Sequence, residues 1–425
     1  MIWSRGTAQV CLIYVIVSAN ILPTSSAEIV GKGKGDGYAG RTAALNPWER
    51  LTDPNPPTAL PDLETSTTVE EIDEILRHVT GTHAGIITQR FRPHPFWLWR
   101  QWYGTVLYHT SKHAILNMIY AALWCALTRY HTTGDWKVWL LPVKGAHPRL
   151  EVVDKIWKTL MSLTTFLLTF FVGQAYTFWR TVHDQGRGIQ GRMNDIHMLM
   201  ATHAARQAKT GAYTKEASAA LQELAAKLRG FHLLFWASNA RRFRILLTQK
   251  GMERLVQVGY IERSTKERLD EIDLPPTLKW ASMLESAMKQ CDDGIRDWKV
   301  ISHYSVALEQ VLLDQFCRLR GLCATVPDLI DGRMPLAYAH FVQILVDSFL
   351  FVAPIAQYHE MGFYSVILVG ILTLFYRGLL DLSKEFLDPL DSEDYCDGAV
   401  YLNLAVFIRE VNSASTRWFR GAAKL

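Results

Sequence analysis

The chain has 425 residues, 49% of them hydrophobic and 20% charged, with a formal net charge of +4. That length accommodates two or three soluble domains or one membrane protein with a soluble part, and composition alone leaves both open. The charge is too mild for nucleic-acid binding and no long basic run supports it, so nucleic acid is excluded as a partner.

Residues 1–27 carry Arg5, an apolar run from Val10 to Leu22, then Pro23 and the small residues that end at Ala27. The run is too short to span a bilayer and stops at a cleavage-like site, which predicts a secretory-type signal peptide. Residues 28–85 open with a stretch rich in Gly, Pro and Thr and poor in apolar periodicity, which predicts a largely disordered N-terminal segment. Its "GKGKGDG" lacks the Ser/Thr ending and the preceding strand that a phosphate-binding loop needs.

Four segments then have the length to cross a membrane at about 1.5 Å per residue and about 30 Å of hydrocarbon. They are Val106 to Thr128, Trp157 to Trp179, Pro335 to Tyr358 and Phe363 to Leu382, paired as two hairpins. Between the hairpins the sequence has mixed charge and helical periodicity, as in "EASAALQELAAKLRGFHLLFW", with no competing strand alternation. The predicted fold class is all-α: a multi-pass membrane protein with four transmembrane helices plus a helical domain on the cytosol side, the main domain covering 86–400 and a C-terminal segment 401–425. Arg180, Arg187, Arg192, Arg318, Arg320 and Arg333 flank the middle domain and favour that side. Arg129, Lys137, Lys144, Arg149 and Lys155 between the first two spans pull the other way.

Six cysteines are scattered without CxxC spacing, and His183, His197 and His203 form no ligand pair on one helix face. No Ser/His/Asp, HExxH or paired-carboxylate motif is present, so the chain is read as no enzyme, with no organic cofactor. In the second span Phe166 and Phe170 stand four apart with Ser162 one turn before them, so they share one face, as packing or as the lining of something. Two charges interrupt the later spans. Counted from one membrane face, Asp347 lies at a depth of about 18 Å and Arg377 at about 8 Å, so a buried structural pair would need the arginine to bridge about 10 Å; the alternatives are an Asp347 that faces a polar cavity or is protonated, and a role in permeation.

Several motifs in order resemble the bestrophins, a family of pentameric anion channels. "WYGTVLY" is similar to W-R-G-S-I-Y at the start of that family's first span, and "AYTFWRTVHDQGRGIQGRMNDI" resembles the pattern that follows its second. "LVQVGYIERSTKERLDEI" and "KEFLDPLDSEDYCD" match further family segments, and Arg320-Gly321-x-Cys323 with Pro335-Leu336-x-Tyr338 stands at the spacing of animal members. The resemblance spans about 300 residues.

It implies a homopentamer in the lipid bilayer that passes chloride or bicarbonate through an axial pore built from the second span. A hydrophobic neck then falls on Phe166 and Phe170, with Ser162 in place of the usual apolar third residue. Counting back from Arg320 puts a cytosol-side aperture near His303. The acidic run Asp388, Asp391, Glu393, Asp394 and Asp397 matches a calcium-binding loop of animal members, with a solvated acidic loop as the alternative. The family keeps both termini on the cytosolic side, which conflicts with a cleaved signal peptide unless the stroma of an algal plastid replaces the cytosol. The expected location is therefore a plastid thylakoid, otherwise the plasma membrane or an endomembrane. A non-conducting scaffold of the same fold is the competing reading.

Overall fold

The computed structural model describes residues 63, 66–80, 105–133, 148–391 and 400–417. The predicted signal peptide and most of the N-terminal segment lie outside them. Among the described residues there is no strand, only two isolated antiparallel bridges, Ala204 with Ile301 and Arg206 with Tyr213.

The helices are α1 (Val69–Thr80), α2 (Val106–Thr133), α3 (Pro148–His203), α4 (Lys215–Asn239), α5 (Gln249–Gln257), α6 (Arg263–Glu271), α7 (Lys279–Arg296), α8 (Val306–Asp331), α9 (Leu336–Met361), α10 (Ser365–Phe386) and α11 (Leu404–Ser415). They bury two separate apolar cores. One joins α2, α3, α9 and α10 around Leu168, Phe171, Val346, Phe349 and Val369. The other joins α1, the far half of α3, α4 to α8 and α11 around Ile189, Met193, Phe231, Trp236, Phe316 and Phe407.

Helix α3 connects the two. Its 56 residues correspond to about 84 Å of helix, far more than a bilayer needs. Leu168, Phe171, Ala175, Val182, Ile189, Met193, Ile196 and Met200 are all buried. Their steps of three, four and seven residues keep one slowly winding apolar stripe along a helix, and that stripe belongs first to the membrane core and then to the other.

Three of the four predicted spans are long and apolar enough to cross a membrane; they lie within 151–203, 336–358 and 362–386. The fourth prediction, Val106 to Thr128, is a helix of sufficient length, but Lys112, His113, Asn117 and Arg129 make it too polar to qualify by composition. Asn117 is turned inward, where its Nδ2 donates to Thr373 Oγ1 at 2.9 Å, while Lys112 is exposed. The opposite side exposes Ile115, Ile119 and Leu123 at a four-residue repeat. Contact between α2 and α10 is close at Gly370, where a Cβ would come within 2.6 Å of Met118 Sδ. The chain is thus an integral membrane protein with an all-α body.

Two boundaries differ from the sequence reading. Val69–Thr80, inside the segment expected to be largely disordered, is a helix with Ile72, Ile75, Leu76 and Val79 buried. Arg254 clamps it through both Asp73 carboxylate oxygens, at 2.6 and 2.9 Å, and those hydrogen bonds hold the Asp73 carboxyl below its usual range. Its periodicity is short and mixed with Glu and Asp, so only tertiary contact makes it stable. Likewise α11, beyond the boundary drawn at 400, buries Val406, Phe407 and Ile408 completely in the second core.

That core also holds His232, fully buried, whose Nε2 accepts from Trp236 Nε1 at 2.8 Å. Burial pushes its pKa down to about 3, so the ring is neutral. At the start of α5, Thr248 Oγ1 accepts from Gly251 N–H at 3.1 Å. A Cβ at Gly251 would meet the Ile245 carbonyl and, at 2.7 Å, Leu246 Cα. Backbone cannot move aside as a side-chain tip can, so Gly251→Ala is expected to cost about 2–3 kcal/mol. Thermal unfolding of the purified variant checks this, and an unchanged midpoint would contradict the packing described.

Candidate functional site

Opposite its buried stripe, α3 presents Thr159, Ser162, Phe166, Phe170, Gly173 and Thr177 to the protomer's surface. These residues recur within about 40° of one line along the helix at 100° per step. Phe166 is 70% exposed and Phe170 53%, whereas Phe171, one position on, is wholly buried. Two adjacent phenylalanines, 100° apart on one helix, are thereby sorted one to the surface and one to the core.

The hydroxyls around this face are turned back onto the helix. Thr165 and Thr169 Oγ1 donate to the carbonyls four residues earlier, at 2.8 Å in each case. Thr177 does the same to Gly173 at 2.8 Å. Thr165 Oγ1 also lies 2.7 Å from Tyr376 OH, which fastens α10 to the flank of the face. What remains outward at 162, 166 and 170 is one hydroxymethyl group and two aromatic rings.

His303 is exposed in the connection between α7 and α8. That connection is tied to the far end of α3, where Ala205 N–H donates to Val300 O at 2.8 Å and Ser302 N–H to His203 O at 3.3 Å. The segment bearing His303 therefore sits about 50 Å of helix beyond Phe170.

Of the acidic run, Asp388 and Asp391 are described, while Glu393, Asp394 and Asp397 lie outside the described residues. Asp388 is buried and Asp391 has a positive φ of 53°. Among the described residues no three His, Cys, Asp or Glu side chains converge at metal-ligand spacing.

Asp347 and Arg377 meet: Arg377 Nη1 donates to Asp347 Oδ1 at 2.8 Å. The depth difference expected from counting closes because α10 runs on to Phe386, four residues past the predicted end, which moves Arg377 deeper. Arg377 is also 3.2 Å from Asp381 Oδ1 through Nε, an ion pair whose N–H is not aligned for a hydrogen bond. Thr110 Oγ1 of α2 lies 3.3 Å from the other Asp381 oxygen. The sequence reading overlooked Asp381, although it stands four residues after Arg377, the spacing at which helix charges pair.

No protein-family model and no curated protein matches the chain. Solved structures do. A bacterial bestrophin homologue from Klebsiella pneumoniae superposes with a TM-score of 0.54 at 12% identity, covering 72% of this chain and 97% of that one. A substituted form of the same homologue gives 0.55 at 13% identity, covering 75% and 100%. At such low identity the shared property is the path of the backbone. The scattered motifs thus pointed to the right architecture, and the chain has the bestrophin fold.

Proposed function

We infer that five copies of the chain assemble around α3 as an anion channel, passing chloride or bicarbonate down its gradient with no chemical step. The observation that carries this reading is the outward seam of Ser162, Phe166 and Phe170 on a helix whose other side is fully used by the protomer's own core. Aromatic rings turned toward lipid need no such register with a single polar residue. Around a fivefold axis they make successive rings one helical turn apart, and head-to-tail closure is how one chain encloses a pore.

Ring edges carry the positive side of the aromatic quadrupole, so edges turned inward favour a partly dehydrated anion over a cation. An apolar constriction also closes by dewetting, without a moving plug. Ser162 replaces one apolar ring by hydroxyls and makes that level wetter. In the same reading His303 contributes to a second constriction on the cytosol side, and the membrane is a plastid thylakoid. A C-terminal fluorescent fusion that reached the cell surface would overturn that location.

Purified protein reconstituted in liposomes with chloride, bicarbonate and potassium gradients tests the function. Anion flux with potassium excluded is the expected result. Absence of flux favours a non-conducting scaffold of the same fold, and a preference for potassium refutes the neck.

A further inference from the structure

The exposed face of α3 continues past the neck toward the helix N-terminus. At 100° per residue, Ser162 and Thr159 lie within about 40° of Phe166, and Lys155 lies about 20° from it, three turns and about 16 Å earlier. Lys155 is exposed and makes no ion pair with any described carboxylate. Its neighbour Lys158 differs: that ammonium is held sideways by Asp154 at 2.6 Å and Glu360 at 3.1 Å. So α3 carries two lysines in this region, one neutralised within the protomer and one left on the line of the neck. At the opposite end of the same face Arg180 stands 3.8 Å from Asp184, so its charge is countered as well. Thr159, between Lys155 and Ser162, donates its hydroxyl to the Lys155 carbonyl at 3.1 Å and adds no charge to the face.

We propose that Lys155 forms an outer cationic ring that concentrates anions at the mouth of the pore. This rests on the pentameric channel reading above. Five ammonium groups about 10 Å outside the Ser162 level act through space rather than by stripping water. They raise the local anion concentration presented to the neck, as a charged cleft does for a charged substrate. The arrangement sets throughput, whereas the aromatic rings set which sign of ion enters. Glu151, exposed one turn further out, is the opposing charge on this side and moderates the field.

Because the action is through solvent, it is screened: the Debye length is about 30 Å at 0.01 M salt and about 3 Å at 1 M. The full-length protein and its Lys155→Arg, Lys155→Gln and Lys155→Glu variants, reconstituted in planar bilayers, are compared in 10 mM and 1 M potassium chloride. At low salt the conductance should fall from Lys or Arg through Gln to Glu, over a range of about threefold to tenfold, and the four proteins should converge at high salt. Glu151→Gln should raise the low-salt conductance. Equal low-salt conductances in a protein that passes anions would overturn the proposal while leaving the channel intact. A loss of the same size at both salts would overturn it in favour of a packing role, as would a decrease in Glu151→Gln. A native chain that passes no anion removes the channel reading and this ring together.

Discussion

Replacing Phe166 and Phe170 together by alanine is expected to raise single-channel conductance about three- to tenfold and to weaken the preference for anions over potassium. The magnitude corresponds to about 0.7–1.4 kcal/mol removed from the barrier to entering an apolar constriction. Both rings stand outside the protomer's cores, at 70% and 53% exposure, so the substitution leaves the fold's packing untouched. Phe171 supplies the control. It is fully buried against the membrane core, with its ring 5.8 Å from Tyr338. Phe171→Ala should cost about 3–5 kcal/mol of stability and leave the ion preference of the surviving channels unchanged. Ser162→Ile should act oppositely to the double alanine variant, lowering conductance by restoring an apolar ring. Bilayer recordings in asymmetric potassium chloride report both conductance and reversal potential. Unchanged values for the double variant would mean that the seam does not line the conduction path.

The seam was legible in the sequence because a helix converts spacing directly into direction, and two phenylalanines four apart need no tertiary knowledge to be placed on one side. The same arithmetic placed all four helices, although by composition only three qualify as spans and α2 falls short. There, Lys112, His113 and Asn117 lower the mean hydropathy of α2 although the helix hides part of that polarity against α10, and such a pairing is visible only once both helices are placed. Helix α1 was unreadable for a related reason: its short amphipathic pattern follows a Gly- and Pro-rich stretch, and its stability comes from Arg254 and α11, about 180 and more than 320 residues away. The C-terminal boundary was missed likewise, since nothing local in "LAVFIREVNSAS" says that Phe407 will pack against Trp236, with ring centroids 5.9 Å apart and the planes tilted by 38°. Asp347 and Arg377 were both noticed, and a structural pair stood beside a polar cavity as alternatives because the depth count left about 10 Å between them; an extra turn of α10 closes that gap.

Arg377→Met is expected to be the most damaging single change in the membrane core, lowering stability by about 3–5 kcal/mol. The guanidinium side chain is only 10% exposed and stands between two carboxylates, with Asp347 at 2.8 Å and Asp381 at 3.2 Å. Removing it strands both anions at a depth where water is scarce, and the cost is mainly that of uncompensated charge rather than of a lost contact. Asp381 is the more confined of the two, with its side chain 20% exposed and Thr110 of α2 beside it. Asp347 is 48% exposed on the protomer's surface and needs water or a polar neighbour rather than lipid at that face. Neutralising the partners should therefore repair the defect: Arg377→Met combined with Asp347→Asn and Asp381→Asn is expected to recover most of the lost stability, because the stranded charges are gone. Arg377→Lys should recover less, since one compact ammonium cannot reach two carboxylates on different helices as the guanidinium fork does. Thermal unfolding in detergent, followed by the loss of the monodisperse species, measures all three. A single variant as stable as the native chain would show that the cluster carries no structural load, and a triple variant no better than the single one would show that packing by the arginine stem, not charge, is what the site requires.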